Sequence, residues 1–108
     1  MTDTKRRAPR YPFIATAELI EEQADVRIAS RVSELSLYGC YLDMMNPFPE
    51  GTRVKLKVYS GNLYFETKAQ VIYVHMNIGA GIRFDHILPE HQKVLDQWLE
   101  ELSKTQPL

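Results

Sequence analysis

Apolar and polar residues alternate most cleanly in "TRVKLKVYS", where Val54, Leu56 and Val58 fall on one face and Arg53, Lys55 and Lys57 on the other. A period of two marks a strand with one buried and one wet face. The same period runs through "LYFETKAQVIYVH", placing Phe65, Thr67, Ala69, Val71 and Tyr73 together, and Gly61–Asn62 between the two segments is a tight-turn signal. Upstream, "PFIATAELI" and "VRIASRVSEL" read as strands around a solvated "EEQAD" loop, and "YGCYLDM" as a third that ends at the turn-rich "NPFPEG". Downstream, "NIGAG" turns into a last strand, "GIRFDHI". Short strands joined by turns predict a sandwich or a small barrel. The period then changes. In "PEHQKVLDQWLEELSK", Val94, Leu95, Trp98, Leu99 and Leu102 recur at helical spacing with charges opposite, Pro89 suits a first helical position and Glu90 the positive end. This apolar stripe needs a partner, and the sheet is the one available.

A chain of 108 residues is one domain's worth and supports a small core. The single cysteine, Cys40, has no internal partner, which fits a reducing cytoplasm and excludes a Cys-rich metal site. No apolar run reaches the length of a membrane span, and no apolar segment follows the basic N-terminal residues as a signal peptide requires. Membrane insertion is therefore not expected. The formal net charge of -1 argues against a general nucleic-acid binder. The balance is uneven along the chain, because residues 1–10 hold Lys5, Arg6, Arg7 and Arg10 against Asp3 alone.

Catalysis finds little support. Asp85, His86 and His91 come nearest to a metal set but lack ligand spacing, and solvated surface histidines, His75 included, are the simpler account. Cys40 has no base near it in sequence and reads as a buried, inert thiol. Glu21, Glu22 and Asp25 read as a solvated loop. Neither a nucleophile elbow nor a phosphate loop nor a paired-carboxylate site is present, so neither enzyme activity nor a metal or cofactor is expected.

Two unusual segments point to binding instead. "SELSLYGC" interrupts strand-like residues with Ser36, Gly39 and a charge, Glu34. A glycine within a strand pattern marks a bulge or a close approach of backbone or ligand. In "RRAPR", Arg6 and Arg10 stand four apart. Arginine recognises phosphates and guanine edges through paired N–H donors and stacks on flat rings. Beside such an arm, Ser36 offers a hydroxyl, Gly39 gives access to backbone, and Glu34 accepts from a ring N–H or holds an arginine.

Together the segments resemble the PilZ domain family, which carries Arg-x-x-x-Arg in an N-terminal loop and Asp/Asn-x-Ser-x-x-Gly at its second and third strands. Arg6 and Arg10 meet the first motif, and Ser36 and Gly39 the second, as "ELSLYG". The likeness extends through "SELSLYGCYLDMMNPFPEGTRVKLKV", "GAGIRFDHI" and the amphipathic helix, over roughly residues 5 to 102. It implies an all-β fold, a six-stranded antiparallel barrel with a C-terminal helix, divided into a flexible basic arm over 1–12, the barrel over 13–88 and the helix over 89–104. It also implies a receptor for the second messenger cyclic di-GMP, bound by Arg6, Arg7, Arg10, Glu34, Ser36 and Gly39. In the family the arginines clamp guanines and phosphates, and the arm orders around the ligand. One position departs: Glu34, one methylene longer, stands where the family has Asp or Asn. A chain this short leaves no room for an output domain, so a downstream protein is the expected partner. Two rivals are a nucleotide-independent PilZ-type protein–protein adaptor and a single-strand nucleic-acid binder using the arm, Lys55, Lys57 and exposed tyrosines. The arginine pair opposes the first and the acidic balance the second.

Overall fold

The computed structural model describes residues 8–105 and turns each alternating segment into a strand. These are β1 (Tyr11–Glu21), β2 (Arg27–Leu35), β3 (Gly39–Asp43), β4 (Arg53–Ser60), β5 (Leu63–His75) and β6 (Gly79–Asp85), followed by helix α1 (Pro89–Thr105). All neighbouring pairs are antiparallel, and the order β1-β2-β3-β6-β5-β4 closes on itself into a six-stranded barrel. Closure depends on two pairings between strands distant in sequence, β1 with β4 and β3 with β6. A closed barrel has no unpaired edge to protect.

The clean alternation of β4 appears as predicted: Val54, Leu56 and Val58 are buried between wet neighbours. With Leu19, Val32, Leu35, Leu42, Phe65, Val71 and Ile82 they fill the barrel. Thr67 is the one buried polar side chain among the described residues, and its hydroxyl donates to the carbonyls of Lys68 and Asp85 at 2.9 and 2.8 Å. That hydroxyl is therefore satisfied and costs little to bury.

β5 departs from strict alternation. Phe65, Thr67, Ala69 and Val71 share the buried face as expected, but the register slips between Val71 and Tyr73. Ile72 is the extra residue of this bulge, so Tyr73 and His75 turn outward and Val74 packs against the core. A second bulge, between Val32 and Glu34, makes Ser33 the extra residue of β2. β6 begins at Gly79, inside the expected "NIGAG" turn, and β1 begins at Tyr11, two residues inside the segment assigned to the arm.

Helix α1 lays its apolar stripe against β5 and β1, burying Leu95 and Trp98, with Val94, Leu99 and Leu102 half-buried. The Trp98 ring meets Phe13 of β1 at 5.2 Å and Phe65 of β5 at 5.8 Å between centroids. His91, expected to be a solvated histidine, instead ties the first helical turn to the sheet: its Nδ1 accepts the Glu66 amide at 3.1 Å and its ring packs on Tyr64. Trp98→Ala is expected to lower the unfolding free energy by roughly 3 to 5 kcal/mol, because it removes an indole from an aromatic cluster that cannot collapse around the void. Urea denaturation followed by circular dichroism checks this.

Candidate ligand-binding groove

The groove lies on the outer wall of the barrel at the head of β1. It occupies about 240 Å³ and is lined by residues from that head, the β2–β3 turn, and β3, β5 and β6. Arg10, Glu34, Ser36 and Gly39, four of the six residues expected to bind, all line it. Arg6 and Arg7, the other two, fall outside the described residues, as does most of the arm. Antiparallel pairing explains the convergence. Pro12 is the partner of Glu34 in the β1–β2 ladder, so Arg10, two residues before Pro12, is delivered beside the β2–β3 turn.

Ser36 has a local task. Its amide donates to the Gly39 carbonyl at 2.9 Å. Its hydroxyl oxygen accepts the amides of Tyr38 at 3.3 Å and Gly39 at 3.2 Å, and its O–H reaches the Gly39 carbonyl at 3.2 Å. The side chain thus closes the turn by substituting for backbone. Leu37 and Tyr38, strand-like in sequence, sit exposed at its tip.

Gly39 also has a local reason. Its φ is not in the left-handed region, yet a Cβ built on it would collide with the Ile82 carbonyl oxygen of β6. Glycine is required here because two backbones touch. Its missing side chain also bares the groove floor between Glu34 of β2 and Arg83 of β6, the residue with which Gly39 is paired. Glu34 is exposed on the rim, paired with Tyr41 across the β2–β3 ladder.

Sequence reasoning missed several lining residues, Tyr41, Tyr73 and Arg83 among them. Tyr73 lies across Gly81 so closely that any Cβ there would meet its ring. Tyr41 and Tyr73 pack at 6.2 Å, and the Tyr41 hydroxyl and His75 Nδ1 are 3.0 Å apart. Burial, and then the neighbouring Tyr73, Asp43 and Glu34, hold the Tyr41 phenol above its ordinary pKa. The signals for these residues were the glycines of "IGAG", which leave space for rings, but placing the rings required the β3–β6 register. Cys40 points the other way, into the core, and burial pushes its thiol pKa far up. It is no nucleophile.

Two outcomes follow from this local geometry. Gly39→Ala is expected to cost roughly 1 to 3 kcal/mol of stability without any ligand, since β3 and β6 must separate to admit the methyl; the urea midpoint reads it. The Cys40 thiol is expected to react with a thiol reagent only as the protein unfolds. Its raised folded pKa also makes stability fall as pH rises past the ordinary thiol range, where the unfolded chain ionises and the folded one does not. Urea midpoints of the parent and Cys40→Ala across that range should show a shallower alkaline decline in the variant.

The sequence profile of the PilZ domain matches residues 4–101. A comparison with curated protein sequences finds no match. Among solved structures, the chain is similar to the PilZ domain with c-di-GMP of YcgR from Escherichia coli, at 20% identity over 94% of this chain and 93% of that one, with a TM-score of 0.73. It is similar also to the PilZ domain of CeSA from a cellulose-synthesizing bacterium, at 14% identity over 88% and 98% of the two chains, with a TM-score of 0.71. The inhibitor of motility MotI/DgrA of Bacillus subtilis matches with a TM-score of 0.78 at 15% identity, over 95% of this chain and 53% of that one. These likenesses concern the fold: a six-stranded barrel, closed through β3 and β6 and packed by one C-terminal helix. With the profile match spanning nearly its whole length, the chain belongs to the PilZ domain family.

Proposed function

We propose that this domain binds cyclic di-GMP in the groove and relays that binding to a partner protein by ordering its N-terminal arm. The observation that carries the reading is the meeting of Arg10 with Glu34, Ser36 and Gly39 in one groove, from segments far apart in sequence. YcgR, which shares the fold, was solved with this ligand. A cyclic dinucleotide offers guanine O6/N7 edges and phosphate oxygens, both paired acceptors that a guanidinium meets with paired donors. Arg10, with Arg6 and Arg7 of the arm, supplies those donors. Glu34 accepts guanine N–H groups from the rim. Ser36 holds the turn that presents them, and Gly39 keeps the floor bare.

An arm that closes over a ligand changes the surface offered to other proteins, and a partner with different affinity for the two states reads the change. The domain is a binding module rather than a catalyst. Among its described residues, no cluster of His, Cys, Asp and Glu is arranged to hold a metal, and no helix is long and apolar enough to cross a membrane. A cytoplasmic setting suits its single buried thiol.

The test is calorimetry with cyclic di-GMP. Arg10→Ala should weaken binding at least about tenfold, because a hydrogen bond to a charged group contributes roughly 1.5 to 3 kcal/mol. The ligand-free melting temperature should barely move, since Arg10 is exposed. Glu34→Asp should bind at least as tightly as the parent and Glu34→Ala more weakly. A parent that takes up no cyclic di-GMP would mean a nucleotide-independent adaptor.

A further inference from the structure

Resting on that reading of the groove, we infer that Arg83 is a further binding residue, a guanidinium carried on the barrel wall that takes a phosphate of the dinucleotide. Neither motif of the family includes it. Arg83 lies on the outer face of β6 opposite Gly39 and lines the groove, with its side chain half exposed. It is also held in place. Its Nη2 donates to Gln70 Oε1 at 2.7 Å, and Gln70 Nε2 in turn donates to the Gly51 carbonyl at 3.1 Å. Asp85 faces its Nε at 3.5 Å. A long side chain fixed by a second residue loses less entropy on binding than a free one. Gln70 and Asp85 occupy one edge of the guanidinium and leave Nη1 without a partner among the described residues.

Glu34 brings a negative charge to the site that is to receive an anion, and Arg83 adds a guanidinium on the wall opposite Arg10. The phosphodiesters of a cyclic dinucleotide lie on opposite sides of its ring. Arg10 and Arg83 stand on opposite sides of the groove, separated by β2 and β3 in the strand order. Gly39, without a side chain, leaves the floor between them clear. Arg10 belongs to the segment entering β1, whereas Arg83 sits within a closed ladder, so the β6 side of the groove is fixed by the sheet itself.

Calorimetric titration of the full chain with cyclic di-GMP at several salt concentrations tests this. Arg83→Gln keeps the stem and an amide donor but removes the charge. It should bind about tenfold more weakly, and its affinity should depend less steeply on salt, since one charge-to-phosphate contact is gone. Gln70→Ala, which frees the guanidinium, should weaken binding by a smaller factor. The double variant should bind no worse than Arg83→Gln alone, because Gln70 acts only through Arg83. Arg83→Gln binding within twofold of the parent, while Arg10→Ala binds weakly, would overturn the inference and leave the proposed function standing. A weakened Arg83→Gln with undiminished salt dependence would overturn the assignment to phosphate. No binding by the parent would overturn both readings at once.

Discussion

The structure depends on one contact, the close approach of β3 to β6. The two strands are distant in sequence, and they meet with the Ile82 carbonyl occupying the place that a side chain on Gly39 would need. On the inner side of this seam, Cys40, Leu42, Ala80 and Ile82 are buried in the core. On the outer side, Gly39, Tyr41, Gly81 and Arg83 form the groove floor. The same short ladder therefore joins the barrel and shapes the site. A change that spreads the floor also opens the core, so groove shape and stability are coupled at Gly39, whereas Arg10 and Glu34 stand exposed outside the core.

Glycine in a strand interior has a cost, about 0.5 to 1 kcal/mol relative to alanine. β6 offsets it with rings. Tyr73 covers Gly81, Tyr41 lies against Gly79, and the Tyr41 hydroxyl meets His75. The outer wall thereby gains a stiff aromatic surface in place of small side chains, and its polar atoms bond to one another. His75 and His91, bland in sequence, each support a neighbour: His75 a tyrosine of the wall, His91 the seat of the helix.

The strands and the helix were legible because burial imposes a period on the sequence. Val54, Leu56 and Val58 face inward wherever β4 sits, and the Trp98 stripe needs a sheet wherever that sheet lies. The bulge at Ile72 was not legible. Nothing in "QVIYVH" distinguishes Tyr73 inside from Tyr73 outside until β6 is laid beside it, and one extra residue reverses the face of all that follow. Arg10, Glu34, Ser36 and Gly39 were legible because they fall in two short motifs, each local in sequence, and the structure gathers all four into one groove. The reasons for two of them were not. The Ser36 hydroxyl closes its own turn, and Gly39 yields to a carbonyl from a strand more than forty residues on, as the difference between 82 and 39 shows. Arg83 is an ordinary exposed arginine until its partners Gln70 and Gly39 are known.

The pairing of β1 with β4 has a consequence for how the chain reaches this state. Even its nearest partners, Glu21 and Val54, stand 54 − 21 = 33 residues apart, so the closing ladder requires a long loop closure. Folds governed by such distant pairings reach the native state in roughly milliseconds to seconds, and slower than helical domains of equal size. During that interval β1 and β4 are open edges able to recruit a second chain. Arg53, Lys55 and Lys57 along the outer face of β4 make that edge mutually repulsive between nascent molecules. The wet half of the chain's cleanest alternation thus guards against aggregation until β1 arrives.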